Sequence, residues 1–156
     1  MTAVSRSYQP VHQPYDPWRD LQENWPQIKV VHEPMAGRLL GELRYPIIAL
    51  RAGTSAAQRR CTLAHELVHL ERGVGDCGIW AAREELHVHE VAARRLISFA
   101  ALARALCECD GDGSPGALAQ LLDVDRQTLE LRLARLTPRE MADVRAMLSW
   151  ETRWVA

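Results

Sequence analysis

The stretch CTLAHELVHL, residues 61–70, combines a helical pattern with two histidines and a glutamate. At 100° per residue, three leucines form an apolar stripe that can bury one side of a helix. That stripe consists of Leu63, Leu67 and Leu70. The side roughly opposite carries His65 and His69, which are four residues apart and therefore share a face. We expect a largely internal helix whose two imidazoles line a cleft.

His65 and His69 have the spacing with which two imidazoles can reach one zinc ion. Two uncoordinated histidines on an internal helix would be costly, which favours a metal site over coincidence. Glu66 is rotated away from the metal but stays beside it, so it can act as general base on zinc-activated water and then protonate a leaving amine. The sequence predicts one zinc ion and hydrolysis of a peptide bond, with Glu66 as the catalytic residue.

A catalytic zinc site needs a third protein ligand and an open position. The candidates lie on a second long helix, predicted from Trp80 to about Leu106. They are Glu84, Glu85, His87, His89 and Glu90. On a helical wheel, Glu85 and His89 fall on the apolar side, Glu84 and His87 face solvent, and Glu90 is at the margin. Helix geometry thus leaves Glu85 and His89 open, with Glu90 as a distant third.

The rest of the chain is predicted to form an α+β fold, with a short antiparallel sheet packed on the metal-binding helix and on the second long helix. The elements before that second helix are expected at 17–24 (helix), 28–32, 39–43 and 45–50 (strands) and 55–72 (helix). Ser55 and Gln58 form a capping box at the start of the last of these. We expect an irregular arm over 1–16, a peptidase domain over 17–109, a linker at 110–113 and a helical region over 114–156.

Composition limits the classes of function that are open to the chain. Apolar residues make up 47% of the 156 residues, the formal net charge is −1, and the amino terminus lacks the apolar run of a signal peptide. No apolar stretch approaches a membrane span. We therefore expect a soluble, cytoplasmic protein with no membrane partner, and direct DNA binding is disfavoured.

The carboxy-terminal helices carry a second pattern, because residues 118–129 resemble a helix-turn-helix. Its expected apolar contacts are Ala119, Val124 and Leu129. Asp123 stands where glycine is usual, and Arg132 stands where an apolar residue is usual. Six arginines balance six acidic residues from 116 to 156, whereas a module that grips phosphate should be basic. We expect a helical cap on the peptidase domain, with a module that recognises a partner repressor as the alternative.

Residues 61–70, preceded by the apolar strand Ile47 to Leu50, resemble the ImmA/IrrE family of metallo-endopeptidases. A second segment, Val91-Ala92-Ala93-Arg94-Arg95-Leu96-Ile97, is similar to that family's alanine-rich segment, with Ser98 in place of the usual proline. The resemblance covers about residues 17–100.

This resemblance implies a small zincin-like fold, one zinc ion and a role in bacteria, phages or mobile elements. It implies a protein substrate, namely a helix-turn-helix repressor that the enzyme cleaves. It also implies a glutamate ligand thirteen residues before the proline position, which is Glu85. His89 would then hydrogen-bond a ligand or the substrate.

Two other classes of function remain open. One is a DNA- or protein-binding regulator whose zinc site is sensory or structural, and the other is a module that kept the motif without hydrolysing anything. A structural zinc site would normally have four ligands, often cysteines, and only Cys61 is close enough in sequence to suggest one. We further expect the edge of the strand Ile47 to Leu50 to pair with an extended substrate.

Overall fold

The computed structural model describes residues 14–73, 81–109 and 114–151, and for 148–151 only the backbone. Within these residues the elements are α1 (Pro17–Asn24), β1 (Lys29–Glu33), β2 (Gly41–Arg44), β3 (Ile47–Arg51), α2 (Ala56–Arg72), α3 (Ala81–Leu96), α4 (Phe99–Glu108), α5 (Pro115–Leu121), α6 (Arg126–Ala134) and α7 (Pro138–Glu151). The predicted α+β class is confirmed. Nearly all of the predicted arm, and the whole linker at 110–113, lie outside the described residues.

The three strands form a mixed sheet in the order β1-β3-β2. Strand β3 pairs parallel with β1 and antiparallel with β2, so the expectation of a purely antiparallel sheet was wrong. Ile48, Ala49 and Leu50 are completely buried, and such an apolar run belongs in the middle of a sheet. The tight turn at 45–46 makes β2 antiparallel to β3, which leaves the other edge of β3 for β1.

Helix α2 begins and ends with the signals that the sequence carries. The Gln58 amide donates to Ser55 Oγ and the Ser55 amide donates to Gln58 Oε1, both at 3.1 Å, which confirms the capping box. Gly73 ends the helix in the left-handed conformation at φ 63°, where glycine carries no steric penalty. His65, Glu66 and His69 therefore lie on a helix that is fixed at both ends.

Two apolar clusters hold α2 in place. The first joins α2 to the sheet and α1, and its buried members are Leu21, Ile28, Ile48, Leu50, Leu63 and Leu67. The second lies on the other side of α2 and includes Cys61, Ala64, Val68, Val88, Ala92, Leu96, Ile97, Leu102, Leu118, Val124 and Leu129. This second cluster continues from α2 and α3 into α4, α5 and α6, across the boundary that the sequence suggested at 109–114.

The predicted second long helix is in fact two helices, α3 and α4, and this prediction was wrong. Ser98 interrupts it with an extended backbone, and its Oγ accepts a hydrogen bond from the Ala101 amide at 3.2 Å. The Ile97 carbonyl, which a continuous helix would use, accepts instead from Arg132 Nε at 3.0 Å. A serine side chain that can cap the next turn makes such a break favourable.

The helices α5, α6 and α7 also begin with side-chain caps. Ser114 precedes Pro115 at the start of α5, Asp125 caps α6, and Thr137 forms a reciprocal capping box with Glu140. No helix in the described part of the chain is long and apolar enough to cross a membrane.

Candidate metal centre

Three side chains from α2 and α3 converge on one point. His65 Nε2 lies 3.1 Å from His69 Nε2 and 3.0 Å from Glu85 Oε1, and His69 Nε2 lies 3.2 Å from Glu85 Oε2. Zinc bonds of 2.0–2.1 Å place tetrahedral ligand atoms about 3.3–3.4 Å apart. The observed separations are therefore close to those of ligand atoms around one ion.

The charge state of His65 fits a metal ligand better than an ion pair. Burial, followed by the nearby His89 and His69 rings, lowers the pKa of His65 to about 3. The ring is therefore neutral at neutral pH, and its contact with Glu85 is not a salt bridge. Two imidazole nitrogens 3.1 Å apart that both face one carboxylate can share a cation, because a neutral imidazole nitrogen is a metal ligand.

The other ring nitrogen of His65, Nδ1, is buried and has no hydrogen-bond partner in the described residues. A metal-bound histidine normally donates this N–H to a carboxylate, a carbonyl or water. Among the described residues, no protein acceptor lies within hydrogen-bond distance of His65 Nδ1.

His89 is a fourth side chain at the same point. Its Nε2 lies 3.4 Å from Glu85 Oε1, and its ring centroid is 4.2 Å from that of His65. The ligand atoms of His65, Glu85 and His89 all fall within 4.8 Å of one another, so this set could also hold a metal. The contacts within the set that contains His69 are shorter, and for this reason we take His65, His69 and Glu85 as the principal set.

The rivals proposed from the sequence lie elsewhere. Glu84 forms an ion pair with Arg72, and Glu90 contacts Arg135 Nε at 2.9 Å. His87 is exposed and contributes to a shallow depression beside Glu84, away from His65. The structure thus brings together the two candidates that the helical wheel favoured, Glu85 and His89. The Glu85 side chain is about half exposed, because it opens onto a cleft.

Glu66 is buried beside these side chains, with only 5% of its surface exposed. Its carboxylate accepts a hydrogen bond from the Leu43 amide of β2. Burial and then the charge of Glu85 raise the pKa of Glu66 to about 7. A carboxyl with a pKa near neutrality is suited to both taking up and releasing a proton.

Gly41 brings β2 close enough to α2 for this arrangement, and the sequence reasoning missed it. A Cβ atom at this position would lie 2.3 Å from Thr62 Cγ2 and 3.2 Å from Glu66 Oε1. Only glycine fits at such a distance. A glycine inside a strand is a signal of close backbone approach, and this signal was present in the sequence.

The side chains of His65, His69, Glu85 and His89 line a cleft of about 860 Å³. One wall is the segment from Arg38 to Leu43, which includes the beginning of β2. Gln127, Thr128 and Leu131 of α6 also line the cleft. The sequence predicted a cleft at the histidines, but it did not predict that a carboxy-terminal helix would form one of its walls.

The family model described as the IrrE N-terminal-like domain, Peptidase_M78, matches residues 26–134 of the chain. This match covers more than half of the chain and includes His65, Glu66, His69 and Glu85. It also extends to the end of α6. No curated protein matches the chain.

Proposed function

We propose a metallopeptidase function because the chain belongs to the Peptidase_M78 family of IrrE N-terminal-like domains. Membership agrees with the resemblance seen in residues 61–70, and it supports a metallopeptidase-type activity on a protein substrate. More specifically, we propose a zinc-dependent endopeptidase. From the same resemblance, we propose a helix-turn-helix repressor as its substrate.

In this proposal His65, His69 and Glu85 hold one zinc ion. A bound zinc ion would polarise the substrate carbonyl and lower the pKa of water. The distances of 3.0–3.2 Å among the three side chains are the observation that carries the proposal. His89, which contacts Glu85 from the next turn of α3, orients that carboxylate.

Glu66 is the proposed general base and acid. Its carboxylate is held by the Leu43 amide at the floor of the cleft, so it has a fixed position beside His65. It takes the proton from the attacking water and gives it to the amine that leaves. Because Glu66 is buried, bulk water has limited access to this proton.

We propose that the substrate pairs with β2 and not, as the sequence suggested, with the strand at 47–50. The earlier expectation was wrong because β3 is the central strand and both of its edges are occupied by β1 and β2. Among the described strands, β2 pairs only with β3, and its first residues line the cleft. An extended peptide added at this edge would lie beside His65 and Glu66.

The test is a Glu66→Gln variant compared with the parent protein. Both proteins are analysed for zinc content and incubated with a mixed peptide library, and cleavage products are identified by mass spectrometry. We expect one zinc ion in each protein and a loss of cleavage of about 10²-fold or more in the variant, because only the proton carrier is removed. Equal cleavage by the two proteins would remove Glu66 from the mechanism.

One observation favours a second function, that of a regulator with a structural or sensory zinc site. His89 is near enough to Glu85 to become a fourth protein ligand, and four protein ligands would leave no open position. In that case the parent would bind zinc without cleaving any peptide. His89→Ala would then weaken zinc binding as much as His69→Ala does.

A further inference from the structure

Helix α6 is the second helix of the helix-turn-helix-like unit, and one of its faces lines the cleft. That face consists of Gln127, Thr128, Glu130, Leu131 and Ala134. In DNA-binding helix-turn-helix proteins, residues near the start of this helix contact base edges. Here the corresponding residues, Gln127 and Thr128, share a cleft with His65 and Glu85.

Helix α6 is fixed to the peptidase helices by buried contacts. Leu129 is completely buried, and Arg132 donates to the Ile97 carbonyl and contacts Glu140 at 2.6 Å. The turn before the helix is held as well, since Arg60 Nη1 donates to the Asp123 carbonyl at 2.7 Å. The cleft wall is therefore part of the same packed body as the candidate metal centre.

The cleft is lined by two exposed leucines and by the partly buried Leu131 of α6. Leu39 before β2 is 49% exposed and Leu86 of α3 is 40% exposed, and both line the cleft together with Leu131. An occupant that covered these leucines would gain the hydrophobic free energy of their burial. An extended polypeptide with a large apolar side chain can do so, and it can still present its backbone to β2.

The charges of the cleft exclude a nucleic acid as the occupant. The lining contains one arginine, Arg38, against five acidic residues. The five are Glu42, Glu66, Glu85, Asp125 and Glu130. Nucleic-acid binding needs neutralisation of phosphates by basic residues. This face of α6 therefore does not read DNA.

We propose that α6 selects the substrate, and that Leu131 forms, with Leu39 and Leu86, an apolar subsite for one large aliphatic or aromatic side chain of a polypeptide. The inference rests on the proposed function, because it concerns the substrate of the same metal centre. It gives the helix-turn-helix-like unit a part in recognising protein instead of DNA.

The probes are two peptide hydroxamates, which bind a zinc ion directly. One carries an isobutyl side chain next to the hydroxamate, and the other carries hydrogen there. Binding to the zinc-loaded full chain is measured by calorimetry. We expect the isobutyl compound to bind about tenfold more tightly or better, because its side chain is buried against the leucines.

Leu131→Glu should abolish this preference, and Leu121→Glu is the matched control. Leu121 is an exposed leucine of α5 that is absent from the cleft lining, so the same substitution there should leave the preference unchanged. If Leu131→Glu does not fold, Leu131→Ala tests the same contact and should reduce the preference about threefold. Leu39→Glu, at a half-exposed position before β2 that also lines the cleft, should weaken the preference as well.

The outcomes separate this inference from the proposed function. Equal binding of both hydroxamates by the zinc-loaded parent would overturn the apolar subsite and leave the metallopeptidase intact. The role of α6 would be overturned if both Leu131→Glu and Leu131→Ala kept the preference for the isobutyl compound while Leu39→Glu abolished it. A parent that binds neither zinc nor hydroxamate would contradict the proposed function itself, and the inference with it.

Discussion

The spacing of His65 and His69 and the register of Glu85 are properties of single residues on helices, and the sequence was sufficient to predict them. A period of 3.6 residues places positions four apart on one face, whatever surrounds the helix. The helical wheel therefore reduced five candidates for a third ligand to Glu85 and His89, with Glu90 as a distant third. The structure places both at the cleft, and it places Glu84 in an ion pair with Arg72.

Glu85→Ala should lower zinc affinity by about 100-fold or more, since changes that only affect the surroundings of a ligand already cost 10–100-fold. The affinity is measured by competition with a chromophoric chelator. Glu84→Ala is the control, because it removes the carboxylate at the adjacent position, which forms an ion pair with Arg72. If the two variants bind zinc equally well, Glu85 is not a ligand.

Gly41 shows where prediction from single residues ends. The sequence marked it as a glycine within a strand, but the clash of a Cβ with Thr62 depends on how closely β2 approaches α2. A glycine inside a strand signals a close approach, but packing in three dimensions decides which residues it approaches, and local sequence does not identify them.

Gly41→Ala should lower the free energy of unfolding by about 1–3 kcal/mol, because it overpacks the contact between β2 and α2. Urea unfolding measures the change. Gly116→Ala serves as the control, since its nearest contact would be Ser114 Oγ at 3.9 Å. The account of Gly41 fails if both substitutions have the same small effect.

At the scale of elements, the helix caps could be predicted from the sequence, whereas the break between α3 and α4 was not predicted. Ser55, Asp125 and Thr137 each begin a helix through contacts within three residues, and such contacts can be read from sequence. The break after α3 has a local cap in Ser98, but it also involves Arg132, which is 35 residues away and donates to the Ile97 carbonyl. The position of β1 likewise depends on pairing with a strand that comes later in the chain.

The contact of α6 with α7 should make stability dependent on pH. Arg132 lowers the pKa of Glu140 to about 2, from an ordinary value of 4.5. Because the folded value is the lower one, the stabilisation is complete above pH 4.5 and is lost as the pH falls toward 2. Glu140→Gln should lower the free energy of unfolding by about 1–3 kcal/mol at pH 7 and by roughly half as much at pH 3.

Urea unfolding of both proteins at the two pH values tests this. Glu130→Gln is the control, because Glu130 pairs with Arg126 on the exposed surface of α6 and such pairs contribute little. A cost of Glu140→Gln that does not change between pH 7 and pH 3 would contradict the assignment to a charged pair.

At the scale of the whole molecule, the apolar cluster around Val68, Val88 and Leu129 joins helices on both sides of the boundary predicted at 109–114. The family match also crosses this boundary. The sequence suggested a linker there from its glycines and aspartates, but composition does not show which side chains meet across it.

A truncated chain that ends at residue 109 should therefore fail to fold cooperatively, because removal of α5 and α6 exposes Cys61, Ala92 and Ile97. Thermal unfolding followed by circular dichroism measures this. The full chain should unfold in a single transition. A truncated chain with its own sharp transition and bound zinc would show that residues 114–156 are an independent unit.

Zinc titration of the metal-free protein tests the central claim most directly, with cleavage of the peptide library as the readout. We expect chelation to abolish cleavage and one molar equivalent of zinc to restore it, with saturation at that point, because a single set of His65, His69 and Glu85 holds the ion. His69→Ala should recover little activity at one equivalent. Cleavage that persists after the metal is removed would contradict the account.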